Sequence, residues 1–127
     1  MSNIYWVDGE YIPKEQAKIS PLTHTLHYGL GAFEGVRSYQ SHDGKKSLIF
    51  RLVDHTKRLL ESAKIIGVDV DYSLDQLIEA QIEVVKRSKL TNSYIRPLVY
   101  IGSERLGLDI IDIDSLGIDT TPRIKTL

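Results

Sequence analysis

Two stretches of helical periodicity lie back to back in the middle of the chain, and they limit the folds open to it. From about Leu52 to Ile65 the residues Leu52, Leu59, Ala63 and Ile66 fall on one side, with Thr56 between them, and Gly67 supplies a stop. The second stretch opens at Ser73-Leu74-Asp75-Gln76, a capping-box pattern in which the serine reaches forward and the glutamine reaches back. Its apolar stripe is Leu74, Leu77, Ile78, Val84 and Val85, and it closes on Lys86, Arg87 and Lys89, where cations suit the helix dipole. Each helix has one apolar stripe to bury and no partner but its neighbour and whatever strands flank the pair.

Strands do flank them. Ile4-Tyr5-Trp6-Val7, the turn Asp8-Gly9 and Tyr11-Ile12 read as a β-hairpin closed by Pro13, because Asp-Gly suits a two-residue turn with positive φ. Residues 14–32 carry Pro21, Gly29 and Gly31 without a clean period, which predicts a loop with at most a short helical turn. Phe33–Tyr39 and Ser47–Phe50 have strand composition on either side of a polar turn. Ser93–Ile101 is the clearest strand, and Pro97 inside it cannot donate to a ladder, which predicts an edge or a bulge there. Two helices cover only one face of four or five strands. The expected fold class is therefore α+β: a two-layer small domain, mainly antiparallel sheet with two helices packed on one face, with a split βαβ arrangement as the alternative topology.

Composition removes several classes of function. The net charge of −1 in 127 residues gives no electrostatic reason to expect nucleic acid or a membrane surface as partner. Without cysteine, neither a disulfide framework nor a thiolate metal site can form. The opening residues lack the basic-then-apolar pattern of a secretory signal, and no apolar run approaches the ~20 residues of a membrane span, so the expected location is cytoplasmic.

Some polar residues remain open to two readings. His24, His27 and Glu34 make a weak metal pattern, scattered over a loop and a strand. Arg58 follows Asp54 by four residues, so it is either half of a solvated helical ion pair or an anion clamp whose fork suits phosphate oxygens. Arg96 sits in an otherwise apolar strand; it points to solvent or meets a carboxylate. Tyr94 is two residues away and so shares its face. An aromatic wall beside a guanidinium is what an amino-acid pocket needs. Tyr28, Phe33 and Tyr39 also read as plain core aromatics.

Several runs together resemble one family. His24-Thr25-Leu26-His27-Tyr28-Gly29, Phe33-Glu34-Gly35-Val36-Arg37, the run from Phe50 to Leu59, Ser62-Ala63-Lys64 and Tyr94-Ile95-Arg96-Pro97-Leu98 are similar, in order and spacing, to the N-terminal small domain of branched-chain amino acid aminotransferases, class IV enzymes of fold type IV that use pyridoxal phosphate (PLP). The Phe-Glu-Gly-x-Arg element favours this group over D-amino acid aminotransferases and aminodeoxychorismate lyases. The resemblance implies that Arg58 binds the cofactor phosphate and that Phe33, Tyr94 and Arg96 line the substrate pocket, Arg96 towards the carboxylate. It implies that Tyr28 reaches across the interface of a homo-oligomer. It further implies exchange of an amino group between leucine, isoleucine or valine and 2-oxoglutarate.

The resemblance covers about residues 4–109, so the expected organisation is a small domain at 1–109 and a divergent or truncated tail at 110–127. None of the lysines 14, 18, 45, 46, 57, 64, 86, 89 and 125 sits in the context of the family's Schiff-base lysine. The chain alone is then expected to be catalytically incompetent, with weak or absent PLP binding. Three functions compete: an aminotransferase domain inactive in isolation, a non-catalytic dimerisation or partner-binding fragment, and a small anion-binding module. If the tail reflects a truncation or frameshift, translating the downstream DNA in all frames will reveal a lysine-bearing second domain; its absence from every frame argues against that origin.

Overall fold

The structure is a computed structural model; it describes residues 4–103 and the strand 106–112. The hairpin forms as expected. Strands β1 (Ile4–Val7) and β2 (Glu10–Pro13) pair antiparallel around Asp8 and Gly9, both at positive φ (47° and 91°). After a single 3₁₀ turn at Lys14–Gln16 comes a five-residue helix, α1 (His24–Tyr28), which ends on Gly29 in the left-handed conformation. The Thr25 hydroxyl ties α1 to the sheet by accepting from the Ile101 amide at 2.8 Å and donating to Leu30 O at 2.6 Å.

The expected strand at 33–39 is two strands, β3 (Gly31–Phe33) and β4 (Val36–Gln40), and β5 (Ser47–Ile49) follows. Helices α2 (Leu52–Ile65) and α3 (Leu74–Ser88) come next, then β6 (Ser93–Ile101) and β7 (Leu106–Asp112). All pairings are antiparallel, in the order β2-β1-β7-β6-β4-β5, with β3 also on β6. Because β4 lies between β5 and β6 and opposes both, β5 and β6 run the same way, and the two helices form a split crossover between them. Strand pairing continues past Asp109 to Asp112; residues 113–127 lie outside the described residues.

Pro97 corrects one expectation. It lies in the central strand β6, with β7 on one side and β3 then β4 on the other, and there is no bulge. The pairs Phe33–Leu98 and Val36–Ile95 belong to one register, so Glu34 faces Pro97 and Gly35 faces Arg96 without an extra residue. The Glu34 amide donates to Pro97 O at 3.1 Å, but the proline has no hydrogen to return. The ladder lapses for two residues there, and this lapse separates β3 from β4.

The core lies between the sheet and the helices. Leu52, Leu59 and Ala63 of α2, Leu77, Ala80, Val84 and Val85 of α3, and Trp6, Val36, Ile95 and Val99 of the sheet form one buried cluster. Inside it the Gln81 amide donates to the Thr56 hydroxyl at 2.9 Å, and that hydroxyl donates to Leu52 O at 2.7 Å. The α3 stripe is thus broader than the sequence suggests, since it includes Ala80, Gln81 and Ser88 while Leu74 and Ile78 stay half-buried. The capping box at Ser73 is formed in both directions. Among the described residues no helix is long and apolar enough to cross a membrane. We expect Leu59→Ala to destabilise the chain by about 2–5 kcal/mol in denaturant unfolding, because its site is closed on all sides, and Ser73→Ala by about 1 kcal/mol, the usual cost of losing a cap.

Candidate active site

Alternation through the lapse at residues 34–35 sends successive side chains to opposite faces. Ala32, Glu34, Val36 and Ser38 face the helices, while Phe33, Gly35, Arg37 and Tyr39 face away. On β6 the same parity sends Ile95, Pro97 and Val99 inward and Tyr94, Arg96 and Leu98 outward. Two groups of functional side chains therefore meet at one short piece of backbone, one on each side of the sheet.

The helix-side group is built on a buried carboxylate. Glu34 is 5% exposed. Its Oε2 accepts from Arg58 Nε at 2.7 Å, and its Oε1 from Arg58 Nη2 at 2.8 Å and from His55 Nδ1 at 2.7 Å. Burial pushes the Glu34 carboxyl up, but the hydrogen bonds and charges of Arg58 and His55 outweigh it and hold the group below the ordinary carboxylate range. His55 and Arg58, one turn apart on α2, line an open groove with Phe50, Arg51 and Asp54. Arg51 caps α2 in the left-handed conformation (φ 51°), and its Nη2 pairs with Asp54 at 2.8 Å. Asp54 is thus the partner of Arg51, and the Asp54–Arg58 pair is not formed. The Arg58 side chain is 66% exposed, yet two hydrogen bonds fix it to Glu34, the residue after Phe33.

The outer group is an arginine between aromatics. Arg96 lies with its guanidinium carbon 4.3 Å from the Phe33 ring centre and 5.3 Å from that of Tyr94. Arg96 Nη2 donates to the Tyr94 hydroxyl at 3.0 Å. Its buried Nε finds no acceptor among the described residues. Tyr94 itself is 2% exposed, and its hydroxyl lies so close to Gly35 that any Cβ there would overlap it.

Of the residues singled out from sequence, Phe33, Tyr94 and Arg96 come together, whereas Arg58 lies on the opposite face of the sheet, bonded to Glu34. Tyr28 stands apart on α1, 76% exposed, its ring 4.6 Å from that of His24. His27 Nε2 bonds Pro21 O, and Glu34 serves Arg58 and His55, so the metal pattern is not assembled. Sequence reasoning misses Glu34 as an anchor, His55, and Gly35. The available signal is the pair of helix positions 55 and 58, which share a face one turn apart.

Comparison with known proteins bears out the family and the fold. The family model for class IV aminotransferases matches residues 31–120, and the chain belongs to that family. Within it, the branched-chain-amino-acid aminotransferase of Pseudomonas aeruginosa is 47% identical over 105 residues, covering 83% of this chain and 34% of the relative. The crystal structure of the Escherichia coli branched-chain amino acid aminotransferase superposes with a TM-score of 0.81 at 36% identity, over 88% of this chain and 40% of that one. The branched-chain aminotransferase of the thermophilic archaeon Thermoproteus uzoniensis, solved with norvaline, gives 0.81 at 38% identity, over 88% and 40%. The chain spans about a third of the length of the curated relatives it matches.

Two outcomes follow. Glu34 is held charged by its partners, so its contribution to stability is present above the carboxyl's unfolded-state titration and is lost as pH falls through the lower folded-state value. Thermal melts from neutral to acid pH should show Glu34→Gln less stable at neutral pH, with the gap to the parent chain closing in acid. Gly35→Ala should displace the Tyr94 ring, read as a changed near-ultraviolet tyrosine signal.

Proposed function

We propose that this chain forms the small-domain wall of a PLP-dependent branched-chain aminotransferase, the class of enzyme that swaps an amino group between leucine, isoleucine or valine and 2-oxoglutarate. The observation that carries the reading is the junction at residues 33–35, which links an anchored arginine on an open groove to an aromatic-lined arginine on the other face. Bound PLP supplies the electron sink for such chemistry, and the protein supplies placement and electrostatics. The residues present suit it. Arg58, held by Glu34 in the second turn of α2, offers a fixed cation on the wall of the open groove. That is a fit for the cofactor's phosphate.

On the outer face, Phe33 and Tyr94 give an apolar wall for a branched side chain. Arg96, with a buried donor still open, takes the carboxylate. The same cation serves the second carboxylate of glutamate or 2-oxoglutarate. Tyr28, exposed on α1 beside exposed Leu22 and Leu26, fits a residue that completes a neighbouring subunit's pocket in a homo-oligomer.

Among the described residues no lysine lines the groove beside Arg58, and no amine joins Phe33, Tyr94 and Arg96 in their contacts. The α-proton then has no lysine there to move it. The isolated 127 residues should therefore bind PLP weakly and turn nothing over. The exposed apolar residues Ile19, Leu22, Leu26 and Tyr28 favour a second reading, a non-catalytic module that docks on a copy of itself or on another chain.

One preparation tests these readings. Mixed with PLP, the purified chain should form no specific borohydride-trapped lysine adduct and make no glutamate from leucine and 2-oxoglutarate; leucine-dependent glutamate would overturn the claim of incompetence. Its affinity for PLP over pyridoxal should fall roughly tenfold in Arg58→Ala, the size expected for loss of a charge-assisted fork. Equal binding of the two by the parent chain would exclude the phosphate role. A monomer by light scattering at all concentrations would sink the second reading.

A further inference from the structure

We infer that His55 is a second ligand for the phosphate that Arg58 takes, and that Glu34 is the positioning residue that sets both; the inference rests on the phosphate reading of Arg58 above. Glu34 spends its carboxylate on one edge of the guanidinium. Its two oxygens take Nε and Nη2, which is the side-on approach, at 2.7 and 2.8 Å. The end-on edge, with Nη1 and the outer hydrogen of Nη2, stays free for a second acceptor. A buried, three-times-bonded carboxylate cannot swing aside cheaply, so the direction of that free edge is fixed by the sheet rather than by the flexible arginine stem.

The same carboxylate sets the imidazole. Glu34 is held ionised, so it only accepts, and His55 Nδ1 must be the donor in their 2.7 Å bond. The other ring nitrogen, Nε2, has no bond among the described residues. The side chain is partly exposed where it lines the groove with Arg58. With Nδ1 protonated, Nε2 can donate to a phosphate oxygen only as the imidazolium.

Charge bookkeeping makes that proton matter. The titratable and charged side chains around the ring are Arg51, Asp54 and Arg58 from α2 and Glu34 from the strand junction. Two cations and two anions cancel, so with His55 neutral the wall carries no net charge. Protonated His55 makes it +1, next to the positive end of α2. A phosphate dianion therefore meets a wall of matching sign, with a donor at His55 Nε2, when the ring carries a proton on both nitrogens.

Inorganic phosphate and the full chain test this. Isothermal titration should give the affinity of the parent chain for phosphate, and ¹⁵N spectra should show His55 Nδ1 protonated before phosphate is added and both ring nitrogens protonated in the complex. His55→Gln should weaken phosphate roughly tenfold, the low end for one charge-assisted bond. Glu34→Gln should weaken phosphate and scramble the His55 tautomer, a change that loss of stability alone does not produce. Because Glu34→Gln risks misfolding, the variant His55→Gln, at a partly exposed position, decides independently. Unchanged affinity in His55→Gln, with binding still lost in Arg58→Ala, would overturn this inference and leave the Arg58 reading intact. Phosphate binding unaffected by Arg58→Ala would remove both.

Discussion

The hydrogen-bonded contact of Glu34 with Arg58 and His55 organises this molecule's functional end. A carboxylate in a low-dielectric seam is costly unless charged donors meet it, and here two side chains from one helix do so. The contact fastens α2 to the one place where the sheet's ladder lapses. It also settles the poses of an arginine and a histidine that would otherwise wander at the surface. The ion pair that local spacing suggests, Asp54 with Arg58, yields to this longer-range one because a buried acceptor outcompetes an exposed one already claimed by Arg51.

Much of the architecture is readable from the residues alone. The turn Asp8-Gly9, the helix Leu52–Ile65, the cap at Ser73 and the strand Ser93–Ile101 each rest on local chemistry that the fold does not override. What escapes depends on long-range pairing. The strand Leu106–Asp112 is invisible when that segment is set against a family pattern rather than its own alternation, and its partners lie on β6 and β1. Lack of a donor predicts an edge or bulge for Pro97. The sheet instead tolerates it centrally by leaving a single ladder bond unmade opposite Glu34.

The site divides in the same way. Strand parity and resemblance pair Phe33, Tyr94 and Arg96 correctly, since alternation survives any tertiary detail. They do not find Glu34 and His55, because a carboxylate buried against a helix 21 residues away leaves no periodic trace. Gly35 is similar: its need for a bare Cα comes from the Tyr94 hydroxyl, a neighbour across the sheet rather than along the chain.

The face-splitting parity of the Phe33-Glu34 step has a consequence for how this segment can vary. Insertion or deletion of one residue between Gly31 and Gln40 would not merely lengthen or shorten a connection; it would exchange the inward and outward sets. The carboxylate would then lie among the rings and a ring would press on the helical guanidinium, so both side-chain groups would be lost together. The stretch from Gly31 to Gln40 is in this sense a frame with a fixed count, open to side-chain replacement but closed to changes of length.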